Sequence, residues 1–291
     1  MEKTFLENEL VQVGIKHLGA ELCSFVKKDS GREYIWQADP AFWNRHAPVL
    51  FPLVGRLPQD QYLQDGQSYS LPQHGFARDQ VFELVQQSAQ ELTFELKSSE
   101  QTRQHYPFDF SLKISYTLTG QTLQVQYQVQ HTGSGEMLFS IGAHPAFNVP
   151  LQPGEAFEDY YLEFSQPETL SRYLLDDGLQ NGQTEPLLDN MAILPLRYEA
   201  YEKDAIVLKG VRSERLTLKS DKHPHFVQMS FAGFPYLGLW TKRAGAPFFC
   251  IEPWYGIASH VGGPVELSEK EGMQSLGTGE TFEAAYTITI G

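Results

Sequence analysis

Polar and apolar residues alternate with a period of two along much of this chain, the pattern of strands with one buried and one wet face. The clearest instance begins at Phe110 and reads Phe-Ser-Leu-Lys-Ile-Ser-Tyr-Thr-Leu, then Thr-Gly-Gln-Thr, then Leu-Gln-Val-Gln-Tyr-Gln-Val-Gln. It predicts two alternating strands joined by a tight turn. Shorter runs fall at Leu92–Leu96, Tyr160–Phe164, Ala205–Leu208, Arg215–Lys219, Phe226–Phe231, Tyr236–Thr241, Phe248–Ile251 and Phe282–Ile290. Most are bounded by Gly, Pro, Asp or Ser, as turn chemistry requires. Helical periodicity is scarce. Its one candidate is a turn or two at Asp39–Asn44, where Asp39 would cap and Pro40 suits the first helical position. The segment from Gln166 to Asn190, rich in Leu, Asp, Gly and Gln, reads as a long excursion with loops that could cover a binding face. Many strands and almost no helix predict an all-β sandwich or barrel.

Length and composition narrow this picture. The chain has 291 residues, 41% of them hydrophobic and 13% aromatic, enough for a large core in one β domain spanning residues 1–291. No fixed-period repeat, low-complexity tract or long polar linker divides it. Its apolar runs fall far short of the roughly 20 residues of a membrane helix, so no membrane partner is expected. The start, Met-Glu-Lys-Thr-Phe-Leu-Glu-Asn-Glu, lacks the basic and apolar stretches of a secretory signal. A cytoplasmic location is the expectation. A formal net charge of −14 argues against a general nucleic-acid binder and leaves small neutral or phosphorylated ligands. Cys23 and Cys250 give neither a disulfide framework nor a zinc motif, and both read as packing residues.

Four segments carry ionisable side chains inside apolar, turn-rich text: Pro52-Leu-Val-Gly-Arg56, His74-Gly-Phe-Ala-Arg78, Gly142-Ala-His144-Pro-Ala-Phe147 and Cys250-Ile-Glu252-Pro-Trp254. Glu252 interrupts a hydrophobic run, so its carboxyl is expected to be withdrawn from water. Burial raises a carboxyl pKa into the range useful for a general base. Pro253 biases Glu252 toward extended backbone, as at the end of a strand feeding a cleft. A structural ion pair is the other reading of Glu252, and a satisfied core histidine is the other reading of His144, which follows a predicted strand and precedes Pro145. His74 sits in a turn, where it could orient a hydroxyl or hydrogen-bond a loop. Arg56 and Arg78 each lie near a glycine and offer planar donor forks for sugar oxygens, carboxylates or phosphate, with surface salt bridging as the default alternative. Trp240, Trp254 and Tyr255 offer aromatic faces for a sugar ring, or simply core. The sequence has no glycine-rich phosphate loop, nucleophile elbow or Rossmann fingerprint.

In their order, Gly-Arg, His-Gly-Phe-Ala-Arg, Gly-Ala-His-Pro-Ala-Phe and Ile-Glu-Pro-Trp, together with an early Gly-Ala-Glu-Leu at 19–22, the motifs resemble the aldose 1-epimerase superfamily, especially its LacX-like branch. The resemblance implies a large antiparallel β-sandwich of the galactose mutarotase-like supersandwich type and an isomerase that exchanges the anomers of a sugar. It implies that His144 is the general acid on the ring oxygen and Glu252 the base on the anomeric hydroxyl. Arg56 and His74 would then hold the sugar and polarise its ring oxygen, and Asp204 would bind hydroxyls. No metal or other cofactor is implied, and a monomer or homodimer is expected. The His-Gly-Phe-Ala-Arg string looks more like the LacX and hexose-6-phosphate epimerase branches than galactose mutarotases. Arg78, with Arg56, would on that reading receive a substrate phosphate. Two alternatives stay open: a carbohydrate-binding protein with little or no turnover, and a metal-dependent β-barrel enzyme built on His74, His144 and Glu252.

Overall fold

The computed structural model describes residues 2–242 and 245–291, and its content is 54% strand and 7% helix. Among the described residues, fifteen strands join one sheet, beside a four-stranded sheet near the N-terminus and two two-stranded sheets. The strand pairs are antiparallel, as in the hairpin of Phe110–Thr119 with Thr122–His131. Here the alternation does what the sequence predicts. Leu112, Ile114 and Tyr116 point inward opposite Val129, Tyr127 and Val125, while Gly120 supplies the positive φ of the turn. Each such side chain, fully buried, stabilises the fold by about 1.5–3 kcal/mol. One continuous core cluster runs from Leu6 to Ile290. Cys23 and Cys250 are free and buried. Among the described residues, no helix is long and apolar enough to cross a membrane.

Three local expectations are corrected. Asp39–Asn44 forms a single turn: the Asp39 side chain accepts from the Ala41 N–H, and its carbonyl accepts from the amides of Phe42 and Trp43, but the chain does not continue as a helix. The aromatic rings of Phe42 and Trp43 pack instead beside Trp36 and Phe248. The segment 166–190 is no loop excursion. It belongs to a long ribbon, Tyr160–Asp176 with Leu179–Pro195, whose register shifts repeatedly; those irregularities are what obscured its period. Finally, Glu252 does not end a strand. It lies within Phe248–Tyr255, where Pro253 is tolerated opposite Leu237.

Two loops cross to position one end of the sheet. His74 and Gly75 both have positive φ, 68° and 69°, and the amides of Phe76 and Ala77 both donate to the Phe51 carbonyl. A Cβ at Gly75 would stand 2.3 Å from that oxygen and 2.6 Å from its carbon. The glycine of His-Gly-Phe-Ala-Arg is thus demanded by a backbone crossing as well as by its dihedral. Gly75→Ala is expected to destabilise the protein by about 2–4 kcal/mol, from strain plus overpacking, read as a lowered urea midpoint.

Candidate active site

Two short strands, Ile141–Ala143 and Ala146–Asn148, pair with the same strand, Phe248–Tyr255. Gly142 faces Trp254, and Ala146 faces Cys250. Carrying that register through the break between them sets His144 directly opposite Glu252. The imidazole Nε2 lies 3.2 Å from the carboxyl Oε2, as cross-strand neighbours on one face should. His144 is 8% exposed and Glu252 1%. On the other side of the strand Glu252 faces Gly238. Cβ atoms at Gly238 and Gly142 would come within 2.3 and 2.5 Å of the Trp254 ring. The two glycines, one on each flanking strand, therefore let the indole lie flat across the sheet and floor the cleft beside Glu252.

Burial pushes the Glu252 carboxyl well above the ordinary carboxylate range, and the Asp204 carboxylate adds to the shift. Burial also pushes the His144 imidazole down, with the Arg78 guanidinium acting in the same direction. The pair therefore holds one shared proton with no net charge, the state a desolvated site favours. Trp254 Nε1 has no partner in hydrogen-bond geometry among the described residues, yet it lies close enough to Glu252 to favour the carboxylate. His144 Nδ1 is likewise buried without a hydrogen-bond partner among them. Packing orients the ring instead: Trp43 stacks on it at 4.8 Å and 28°, while Trp240 and His74 meet it edge-on at 5.6 and 5.7 Å.

A cleft of about 430 Å³ brings together the six ionisable residues singled out by the sequence, Arg56, His74, Arg78, His144, Asp204 and Glu252, with Trp240 and Trp254; Tyr255 is not part of its lining and packs against Phe234 and Phe282. His74 Nδ1 accepts from the Gly55 amide, so in the neutral ring, which burial enforces, Nε2 carries the proton and can only donate. Arg78 Nη2 donates to the Gln73 carbonyl, and its buried Nε, which has no hydrogen-bond partner among the described residues, lies 3.9 Å from the Asp79 carboxylate. Arg56 Nη1 pairs with Asp177 at 2.7 Å. Asp204 sits at φ +119°, with burial raising its carboxyl pKa. It lies on the loop before Ile206–Lys209 and lines the cleft.

The sequence reading missed Trp43, Asp177 and Gly178, which also line the cleft. The Asp-Gly dipeptide at 177–178 is a strong two-residue hairpin signal that could have located the tip of the ribbon. Trp43 left no signal, since an aromatic after a turn usually reads as core. The metal alternative is not assembled as expected. Among the described residues, the ligand atoms that come within 4.8 Å of one another belong to His144, Cys250 and Glu252; His74 is committed to Gly55.

The sequence model of the family described as aldose 1-epimerase matches residues 3–264. The chain is 37% identical to the chromosomal protein LacX of Lactococcus lactis subsp. lactis, over 98% of each chain. It is also similar to the solved structure of a galactose mutarotase related enzyme from Lactobacillus acidophilus, at 34% identity and a TM-score of 0.95, covering 100% of this chain and 97% of that one. A galactose mutarotase-like protein from Lactobacillus casei ATCC 334 superposes with a TM-score of 0.94 at 34% identity, with all of both chains covered.

The stacking of Trp43 on His144 carries its own test. Replacing Trp43 with Leu uncovers one face of the imidazole and reduces its desolvation, so the His144 pKa is expected to rise toward the ordinary histidine value of 6.5. An NMR pH titration of the ring nitrogens reads it directly. A fall, or no movement, would show that the indole does not shield the ring.

Proposed function

The chain belongs to the aldose 1-epimerase family, and from that premise we propose that it interconverts the α and β anomers of a hexose or hexose phosphate by acid–base opening and closing of the ring. The observation that carries this reading is the buried His144–Glu252 pair, 3.2 Å apart at the floor of a cleft. In its charged arrangement Glu252 is the carboxylate and His144 the imidazolium, and shifting the shared proton leaves the site without net charge. Glu252 takes the proton from the C1 hydroxyl while His144 gives one to the ring oxygen. The C1–O5 bond breaks and C1 becomes an aldehyde. Rotation about C1–C2 exchanges its faces, and the reverse transfers close the other anomer.

The remaining residues hold the sugar for this exchange. His74, a donor only, and Arg56 direct hydrogen-bond donors at sugar oxygens and help polarise the ring oxygen. Asp204 accepts from hydroxyls across the cleft. Trp254 and Trp240 offer flat faces to the C–H side of the ring. Arg78 lowers the imidazole pKa, which makes its proton easier to give away. Mutarotation already proceeds in water, so an acid and a base worth about 10²–10⁴-fold each, with orientation in the cleft, supply the acceleration needed. The chain is read as one domain acting in the cytoplasm, as a monomer or homodimer.

Polarimetry or NMR exchange spectroscopy across free hexoses and their 6-phosphates tests the proposal. Wild type is expected to accelerate anomer exchange, and His144→Ala and Glu252→Ala each to lose at least about 10²-fold. No acceleration by folded wild type on any sugar of the panel would reject it in favour of a binding protein.

The pH profile follows from the directions of the two shifts. The active pair holds one proton. A second proton is added only when the imidazole, whose pKa lies below 6.5, is titrated. The shared proton is lost only when the carboxyl, whose pKa lies above 4.5, is titrated. The enzymatic rate, corrected for solvent catalysis, is therefore expected to show its acid limb below pH 6.5 and its base limb displaced upward from the ordinary carboxyl range. An acid limb above that value would contradict the assignment.

A further inference from the structure

The ribbon formed by Tyr160–Asp176 and Leu179–Pro195 ends at Asp177 and Gly178, with φ values of 48° and 76°. Two positive dihedrals in a two-residue loop favour an Asp-Gly pair. This tip reaches the cleft, where Leu175, Asp177 and Gly178 form part of the wall. It is anchored there: the Gln180 amide donates to the Ser259 carbonyl, the Val261 amide donates to the Gln180 carbonyl, and Gln180 Nε2 donates to the Ala258 carbonyl.

Anchoring presents Asp177 to Arg56. The guanidinium Nη1 lies 2.7 Å from the Asp177 carboxylate and donates to the Asp177 carbonyl at 3.0 Å. Its Nε is 3.6 Å from Asp60, and its stem lies against Gly178, where a Cβ would come within 3.5 Å of Arg56 Cδ. The other cationic groups of the cleft wall are also occupied. Arg78 donates to the Gln73 carbonyl, and Lys242 donates to the Phe42 carbonyl. An anionic substituent entering here finds its cations already held by protein oxygens, and Arg56 carries its own carboxylate counter-ion.

We infer that Asp177 is a specificity-determining residue that biases the cleft toward uncharged sugars by occupying the Arg56 fork. This rests on the anomer-exchange reading and deepens it by naming the substrate class. A hydroxyl can add to the free edge of the guanidinium without displacing anything, whereas a phosphate must displace Asp177 and approach its charge. Because Asp177 is largely exposed, water compensates part of that displacement. The bias is therefore one of several-fold rather than orders of magnitude.

The test compares wild type, Asp177→Asn and Asp189→Asn, the last removing an exposed carboxylate from the same ribbon away from Arg56. Inorganic phosphate binding is measured by calorimetry, and anomer exchange is measured with a free hexose and its 6-phosphate. Asp177→Asn is expected to tighten phosphate about three- to tenfold and to raise the 6-phosphate to free-hexose ratio of kcat/KM by a similar factor, with the gain shrinking in 0.5 M salt as a paired-charge effect should. Asp189→Asn is expected to do neither. Equal phosphate binding in wild type and Asp177→Asn, or an equal gain in Asp189→Asn, would overturn the inference. The phosphate titration needs no turnover, so absence of anomer exchange would reject the activity while the binding comparison still decides the role of Asp177.

Discussion

A carboxyl set opposite an imidazole, both sealed from water by a β-sheet, is the constraint on which this site depends. Neither charge alone is tolerable there, and together they are satisfied by one proton. The sheet achieves the apposition by interrupting one strand. Ile141–Ala143 and Ala146–Asn148 keep a common register on Phe248–Tyr255, and the break between them at His144 and Pro145 does not lose that alignment, because the Ile251 amide still donates to the Pro145 carbonyl. The imidazole then faces its partner at the one level where the cleft opens. The ladder on both sides makes the geometry rigid, which a loop could not do.

Shape follows from two further devices. Glycines at 142 and 238 clear space for Trp254, so the strand bearing the carboxyl also supplies an apolar floor next to it. Glycine at 75, and at 55 where a Cβ would meet Ala258 at 2.4 Å, lets two loops cross closely enough for His74 and Arg56 to project into one cleft. Around His144, aromatic rings take the place that hydrogen bonds often fill. Trp43, Trp240 and His74 border the imidazole on three sides, which fixes its orientation while keeping it dry and neutral.

Two of the charged groups at the cleft have specific counterparts, Arg56 in Asp177 and Glu252 in His144. Behind Arg78 lies Glu21, of the early Gly-Ala-Glu-Leu motif. Burial works to raise its pKa, but the hydrogen bond from His46 and the charge of Lys16 prevail and bring it to about 2. It remains a carboxylate beneath a cationic rim. Lys270, its pKa lowered to about 7 by burial, donates to the Ile257 carbonyl and so ties down the loop that carries Ile257 and Ala258 along the cleft wall.

Much of this was written in the sequence. Period-two alternation determined the strands, as at Phe110–Thr119, because it reflects burial on one face and needs only local text. Arg56, His74, Arg78, His144 and Glu252 were legible because each lies in an apolar or turn-rich run at a chemical cost that packing alone would not bear, whereas Asp204 came only from the family resemblance and Asp177 was missed. What the sequence did not carry was pairing. The register that faces His144 with Glu252, the glycines that answer Trp254, the stacking of Trp43 and the arrival of Asp177 at Arg56 are contacts between segments from 16 residues apart, at Gly238 and Trp254, to 121 apart, at Arg56 and Asp177. Only the folded sheet decides these, because the energy of such a contact exists only after the chain has closed the loop between its partners.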